Sequence, residues 1–171
     1  MVSYILAVIA AVGAFVADRL TKAYVVGEFA LAESRTFIPG LLDFTYVHNK
    51  GGAWGLLSGH TWLLVSLTVI VMVICLSLLM TKGVKNKTLF WAILLVLSGG
   101  LGNLVDRIFN GGTVIDFLHL HFMPDFPVFN IADCAVVIGA MLLILELVID
   151  IVIDHRKVSA ESIKKENTSN E

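Results

Sequence analysis

Two aspartates stand in settings that favour carboxylate chemistry. Asp116 lies in VIDFL, an acid framed by apolar neighbours, and Asp133 lies in FNIADCAVVIGA, at the head of an apolar run. Two carboxylates brought together at a partly dry site cannot both ionise cheaply, so one keeps a proton while the other acts as a base. Such a pair can activate water toward a peptide carbonyl and then protonate the leaving amine. Each residue also has a plainer reading. Asp133 falls three residues after Asn130, which makes it a capping-box acid at the start of a helix. Asp116 could be an exposed loop carboxylate, although Val114, Ile115 and Phe117 give such a charge poor company.

Other ionisable groups gather near these two. Asp18 and Lys22 are spaced i, i+4 and share a helix face. Gly99, Asn103, Asp106 and Asn110 fall on one face of another helix, with Arg107 beside them. Asp18 and Lys22 could equally form a structural ion pair or snorkel to an interface. Gly99, Gly100 and Gly102 suit close helix approach. Glu146 and Asp150 suit an exposed interfacial place at the far end of the last apolar run. Ser98 lies deeper than the aspartates, and Thr21 beside Lys22 has no base placed for it, so nucleophilic catalysis finds little support. Cys75 and Cys134 are expected at different depths, which argues against a disulfide.

The elements that must position these groups are apolar helices. Hydrophobic residues make up 57% of the 171 and charged residues 15%, too little polar surface for a water-soluble fold. With a net charge of -2 and no basic face, nucleic acid is excluded as a partner. A span needs about 20 mostly apolar residues, and four stretches qualify, near 3–26, 61–81, 88–108 and 131–153. The first lacks a basic n-region and is expected to be a retained helix. Lys82, Lys85 and Lys87 follow the second span, and Arg156, Lys157, Lys164 and Lys165 follow the fourth, which puts that side and both termini in the cytoplasm. The fold expected is an all-α membrane bundle of residues 1–154, with a cytoplasmic tail, 155–171, read as disordered. The outward region 27–60 carries DFTYVHN and then NKGGAWG, a strand and a tight turn of a small sheet. Trp54 and Trp62 would sit at headgroup level, and 109–130 would form an interfacial amphipathic segment.

Five motifs in order, DRLTK (18–22), NKGGAWG (49–55), GGLGNLVDR (99–107), VIDF (114–117) and FNIAD (129–133), resemble lipoprotein signal peptidase, also called signal peptidase II. The resemblance implies a bacterial membrane aspartic peptidase, without metal or cofactor, whose catalytic dyad matches Asp116 and Asp133. Asn49, Gly51, Asn103, Asp106, Arg107 and Asn130 match the residues around that site, and Asp18 and Lys22 the polar pair of the first helix. The implied substrates are prolipoproteins with a diacylglyceryl-cysteine lipobox, met within membrane lipid and cleaved before that cysteine. Three positions depart from the family pattern. Arg19 stands where Gln is common, Gly52 where Ala is usual, and Cys134 where a small Ala or Ser is typical.

Three rival readings deserve a test. A proton-coupled transporter would need polar residues continuing across the bundle and broken helices. A metallohydrolase could use His119 and His121 with Asp116 and Asp125, although an HxH spacing alone is weak and suits interfacial histidines. A non-catalytic structural subunit would explain the spans but not the clustering of polar motifs at one depth.

Overall fold

A computed structural model describes residues 1–82, 84 and 86–169. Lys85 of the basic link and the last two residues of the tail lie outside the described residues. The chain forms helix α1 (Val2–Glu28), strands β1 (Ser34–Ile38) and β2 (Leu42–Asn49), and a short 3-10 turn, Ala53–Gly55. Helices α2 (Thr61–Lys82) and α3 (Lys87–Phe109), strand β3 (Val114–Leu120) and helix α4 (Ile131–Ser169) follow. All four helices are long and apolar enough to cross a membrane. Their outward faces carry bare Leu6, Ile9, Val69, Ile74, Ile144 and Leu147, tolerable only where the surroundings are hydrocarbon.

Helix α3 is the centre of the bundle, packed against each of the others. Its inner face is built of small residues where it meets α4. A Cβ on Gly139 would come within 2.8 Å of the Ala92 carbonyl oxygen and 2.8 Å of Val96 Cγ2. One on Gly99 would strike the Ala132 carbonyl oxygen and Val136. Backbones this close gain dispersion contacts that lipid tails cannot supply. Helix α2 packs mainly on α3, burying Cys75 against Ile93 and Val96.

The antiparallel sheet runs β1-β2-β3 and is seated on the end of α1, where Val25 and Phe29 bury Tyr46, Ile115 and Phe117. Its third strand comes from the segment read as interfacial. Val114, Ile115 and Phe117 are good strand formers, and β2 without them would present an open edge. On its other side β3 is tied to the chain just before α4: the Phe117 and Leu118 N–H groups donate to the Phe129 carbonyl at 3.0 and 2.7 Å. That tie holds the start of α4 beside the strand.

Two other expectations are corrected. Helix α4 continues to Ser169, so residues 155–169 of the tail read as disordered continue the helix of the fourth span, whose apolar part ends by Lys157. Its Arg, Lys, Glu and Ala residues favour helix, and neither Gly nor Pro follows Gly139 to end it. Glu146, read as exposed, is buried and accepts from Asn86 Nδ2 at 2.5 Å. Asn86 in turn caps α3, its Oδ1 accepting from the Thr88 and Leu89 N–H groups. A long-range partner, invisible to periodicity, thus draws this carboxylate inward, while Asp150 is exposed as expected.

Candidate active site

At the sheet end of the bundle, the first turn of α4 is a capping box. Asn130 Oδ1 accepts from the Asp133 N–H at 2.8 Å, and Asp133 Oδ2 accepts from the Asn130 N–H at 3.1 Å. A third donor of that turn, the Ala132 N–H, reaches across to Asp18 Oδ1 at 3.0 Å. Helix α1 therefore helps cap α4.

Asp116, on β3, accepts from two amides: Asn130 Nδ2 at 2.6 Å on Oδ1 and Asn49 Nδ2 at 2.7 Å on Oδ2. Asn49 is fixed in turn by the Gly51 N–H, which donates to its Oδ1 at 2.9 Å. The turn needs glycine there, because a Cβ on Gly51 would lie 2.7 Å from both the Gly55 oxygen and the Ser58 nitrogen. Asp133 Oδ1 accepts from Asn103 Nδ2 at 2.7 Å. The Asn103 oxygen accepts from Lys22 Nζ at 3.2 Å and from Asn130 Nδ2 at 3.0 Å. Asn130 thus donates to both carboxylates, from its side chain to Asp116 and from its backbone to Asp133.

Beneath this layer lies a buried charge cluster. Lys22 Nζ is 2.9 Å from Asp18 Oδ2 and 2.8 Å from Asp106 Oδ2, with all three side chains fully buried. Asp106 Oδ1 pairs with Arg19, and its Oδ2 accepts from the Ile115 N–H at 3.2 Å. Burying charge without partners is costly; here two cations meet two anions.

Both aspartates line one cavity of about 440 Å³ with Asn49, Asn103, Arg107 and Cys134. Trp54 and Phe126 meet edge to face at its wall, ring centroids 5.9 Å apart. The cavity is otherwise mostly apolar, built from side chains such as Val114, Leu120, Phe129 and Val136. Burial, then repulsion from Asp133, pushes Asp116 up to about 7, against the pull of Asn49, Asn130 and Lys22. Arg107 brings a cation to the same space, and its Nε is buried without a hydrogen-bond partner.

With this geometry in view, likeness to known proteins is decisive. Residues 10–149 match the family described as signal peptidase (SPase) II. The chain belongs to the signal peptidase II family. It is 40% identical over 128 residues to the lipoprotein signal peptidase of Streptococcus pyogenes serotype M2, covering 75% of this chain and 83% of that protein. The serotype M6 enzyme is 39% identical over the same lengths. Two solved structures described as bacterial membrane enzymes, at 2.3 and 1.9 Å resolution, are each 33% identical. The first superposes with a TM-score of 0.79 over 85% of this chain and 88% of that one; the second scores 0.74 over 83% and 92%. The protein is accordingly a multi-pass membrane hydrolase of the aspartic peptidase type.

All ten residues singled out from the sequence lie in this one network or at its cavity: Asp18, Lys22, Asn49, Gly51, Asn103, Asp106, Arg107, Asp116, Asn130 and Asp133. The histidines do not join it. His121 Nδ1 is 2.9 Å from Asp43 Oδ2 and His119 Nδ1 4.0 Å from it. His119 is three residues from Asp116 on β3, so the two point to opposite faces. Thr21 and Ser98 spend their hydroxyls on backbone carbonyls, those of Ala17 and Ala11. Below the cavity the α3–α4 seam is closed by Ala92, Val96 and Gly139, which gives a transporter path no polar continuation. Arg19, noted in the sequence only as a departure from the family pattern, joins the network through Asp106. Its spacing from Lys22, i to i+3, could have marked it as a second cation on the polar face of α1.

Proposed function

We propose that Asp116 and Asp133 are the catalytic pair of an endopeptidase that removes signal peptides from prolipoproteins. The observation that carries the reading is that both carboxylates line one cavity and share Asn130 as a hydrogen-bonding neighbour. One aspartate is neutral and the other ionised. The ionised one takes a proton from a water held between them as the water oxygen attacks the scissile carbonyl carbon, while the neutral one donates to the carbonyl oxygen. Collapse of the tetrahedral intermediate returns a proton to the leaving amine. Asp116, raised to about 7, is suited to exchange a proton near neutral pH. Asn49 and Asn130 hold Asp116, Asn103 holds Asp133, and Arg107 turns a positive charge toward the carbonyl-bearing chain.

The substrate we assign is a prolipoprotein whose lipobox cysteine carries a diacylglyceryl group, cleaved just before that cysteine. The apolar cavity wall suits acyl chains, and the bare apolar helix faces suit lateral approach through membrane lipid. The sheet end would face outward and both termini the cytoplasm, in keeping with the basic residues after α2 and in the tail.

Purified enzyme should be offered a lipidated and an unlipidated lipobox substrate, with Asp116→Asn and Asp133→Asn variants in parallel. Wild type should cleave the lipidated substrate alone, and each variant should lose cleavage by several orders of magnitude while still entering the membrane. Cleavage by Asp133→Asn at more than a tenth of the wild-type rate would rule out the pair.

A further inference from the structure

We infer that Arg19 is a positioning residue for the aspartate pair, acting through Asp106. This rests on the reading of Asp116 and Asp133 just given. Asp106 is the junction between α1 and both supports of the pair. Through Oδ2 it accepts the N–H of Ile115, the residue before Asp116 on β3. Through the same oxygen it holds Lys22, which donates to Asn103, which holds Asp133. Its other oxygen is taken by Arg19.

Charge explains why that contact matters. Asp18 and Asp106 carry two negative charges, and Lys22 alone carries one positive; Arg19 brings the buried cluster to neutrality. Without it, Asp106 would draw Lys22 more strongly, away from Asn103 and Asp18. That change loosens the support Asn103 gives Asp133. Arg19 is absent from the cavity lining and its side chain is 31% exposed, so it can reach the reacting atoms only through Asp106. A glutamine amide at this position could donate to Asp106 but would supply no charge.

The ionisable groups around the pair are Arg107 on α3 and Cys134 on α4, which line the cavity with it, and Asp18, Arg19, Lys22 and Asp106 in the cluster beneath. Removing one cation from that set disfavours carboxylate ionisation in the pair, and the acid limb of the pH–rate profile must move to higher pH.

The test compares Arg19→Ala, Arg19→Gln and Arg19→Lys in pure enzyme on the lipidated substrate. Arg19→Ala should lower kcat about tenfold with KM unchanged within about twofold. Arg19→Gln should lower it less, because its amide still reaches Asp106. Both neutral variants should raise the acid limb by about half a pH unit, and Arg19→Lys should leave the limb in place. An unmoved limb in both neutral variants overturns the proposal, as does a loss expressed in KM. A limb shift in Arg19→Lys as large as that in Arg19→Ala does the same. If Arg19→Ala does not fold, Gln against Lys carries the comparison. Asp116→Asn and Asp133→Asn controls separate the two readings: activity in those variants sinks the catalytic pair, whatever Arg19 does.

Discussion

Replacing Asn49 with alanine removes one of the two amide donors on Asp116, the 2.7 Å bond to Oδ2. The bond favours the charged carboxylate, and it is among the influences that hold Asp116 down against burial and Asp133. A hydrogen bond to a charged group contributes about 1.5–3 kcal/mol, and one pH unit corresponds to about 1.4 kcal/mol. Full loss would raise the carboxylate by about one to two units; cavity water recovers part of it, leaving about one. The sign is fixed. Repulsion from an ionised Asp133 makes the Asp116 proton the pair's second, so losing a donor to its anion makes that second proton harder to remove, and the descending limb of kcat/KM against pH moves upward from near 7. Because the two aspartates interact, the limb belongs to the pair rather than to either residue. The assay is initial-rate cleavage of a lipidated substrate across the neutral and alkaline range, for wild type, Asn49→Ala and Asn49→Asp. Asn49→Asp places a second anion beside Asp116 and should move the limb further in the same direction. Relative to wild type, about tenfold more of the plateau activity should be kept by Asn49→Ala well above the limb, with little change well below it. A limb that stays in place, or moves to lower pH, would refute the role given to Asn49 and the assignment of the limb to this pair.

Three other outcomes follow from the geometry. Lys22→Met leaves Asp18 and Asp106 buried with too little countercharge, and thermal unfolding in detergent should show a loss of about 3–5 kcal/mol. Gly99→Ala drives a Cβ into the backbone of α4 at Ala132 and within 2.8 Å of Val136 Cγ2; about 1–3 kcal/mol of stability should go, with kcat, because α4 carries Asp133. Cys134 lines the cavity beside Asp133, so a bulky maleimide should inhibit wild type and spare Cys134→Ala. Full activity with Cys134 shown by mass spectrometry to be modified would contradict that.

The residue order alone determined the four spans, because transfer of a 20-residue apolar helix into hydrocarbon is set by local composition. It also placed Asp133 at the head of α4 beneath its Asn130 cap, and Asp18 with Lys22 on one face, since capping and i, i+4 contacts involve neighbours in the chain. Five spaced motifs were enough to single out the ten residues now found in one network. Tertiary structure decided the rest. The acid of VIDFL gained its meaning only when β3 paired with β2 and Phe129 tied the strand to α4. The Asp18 bond to the α4 backbone, the Arg19 pairing with Asp106 and the inward turn of Glu146 all join residues more than fifty positions apart. No periodicity encodes such contacts, because they depend on which helix faces meet after the spans have formed. The sequence could name the two carboxylates, but only the packed bundle could give them a common cavity.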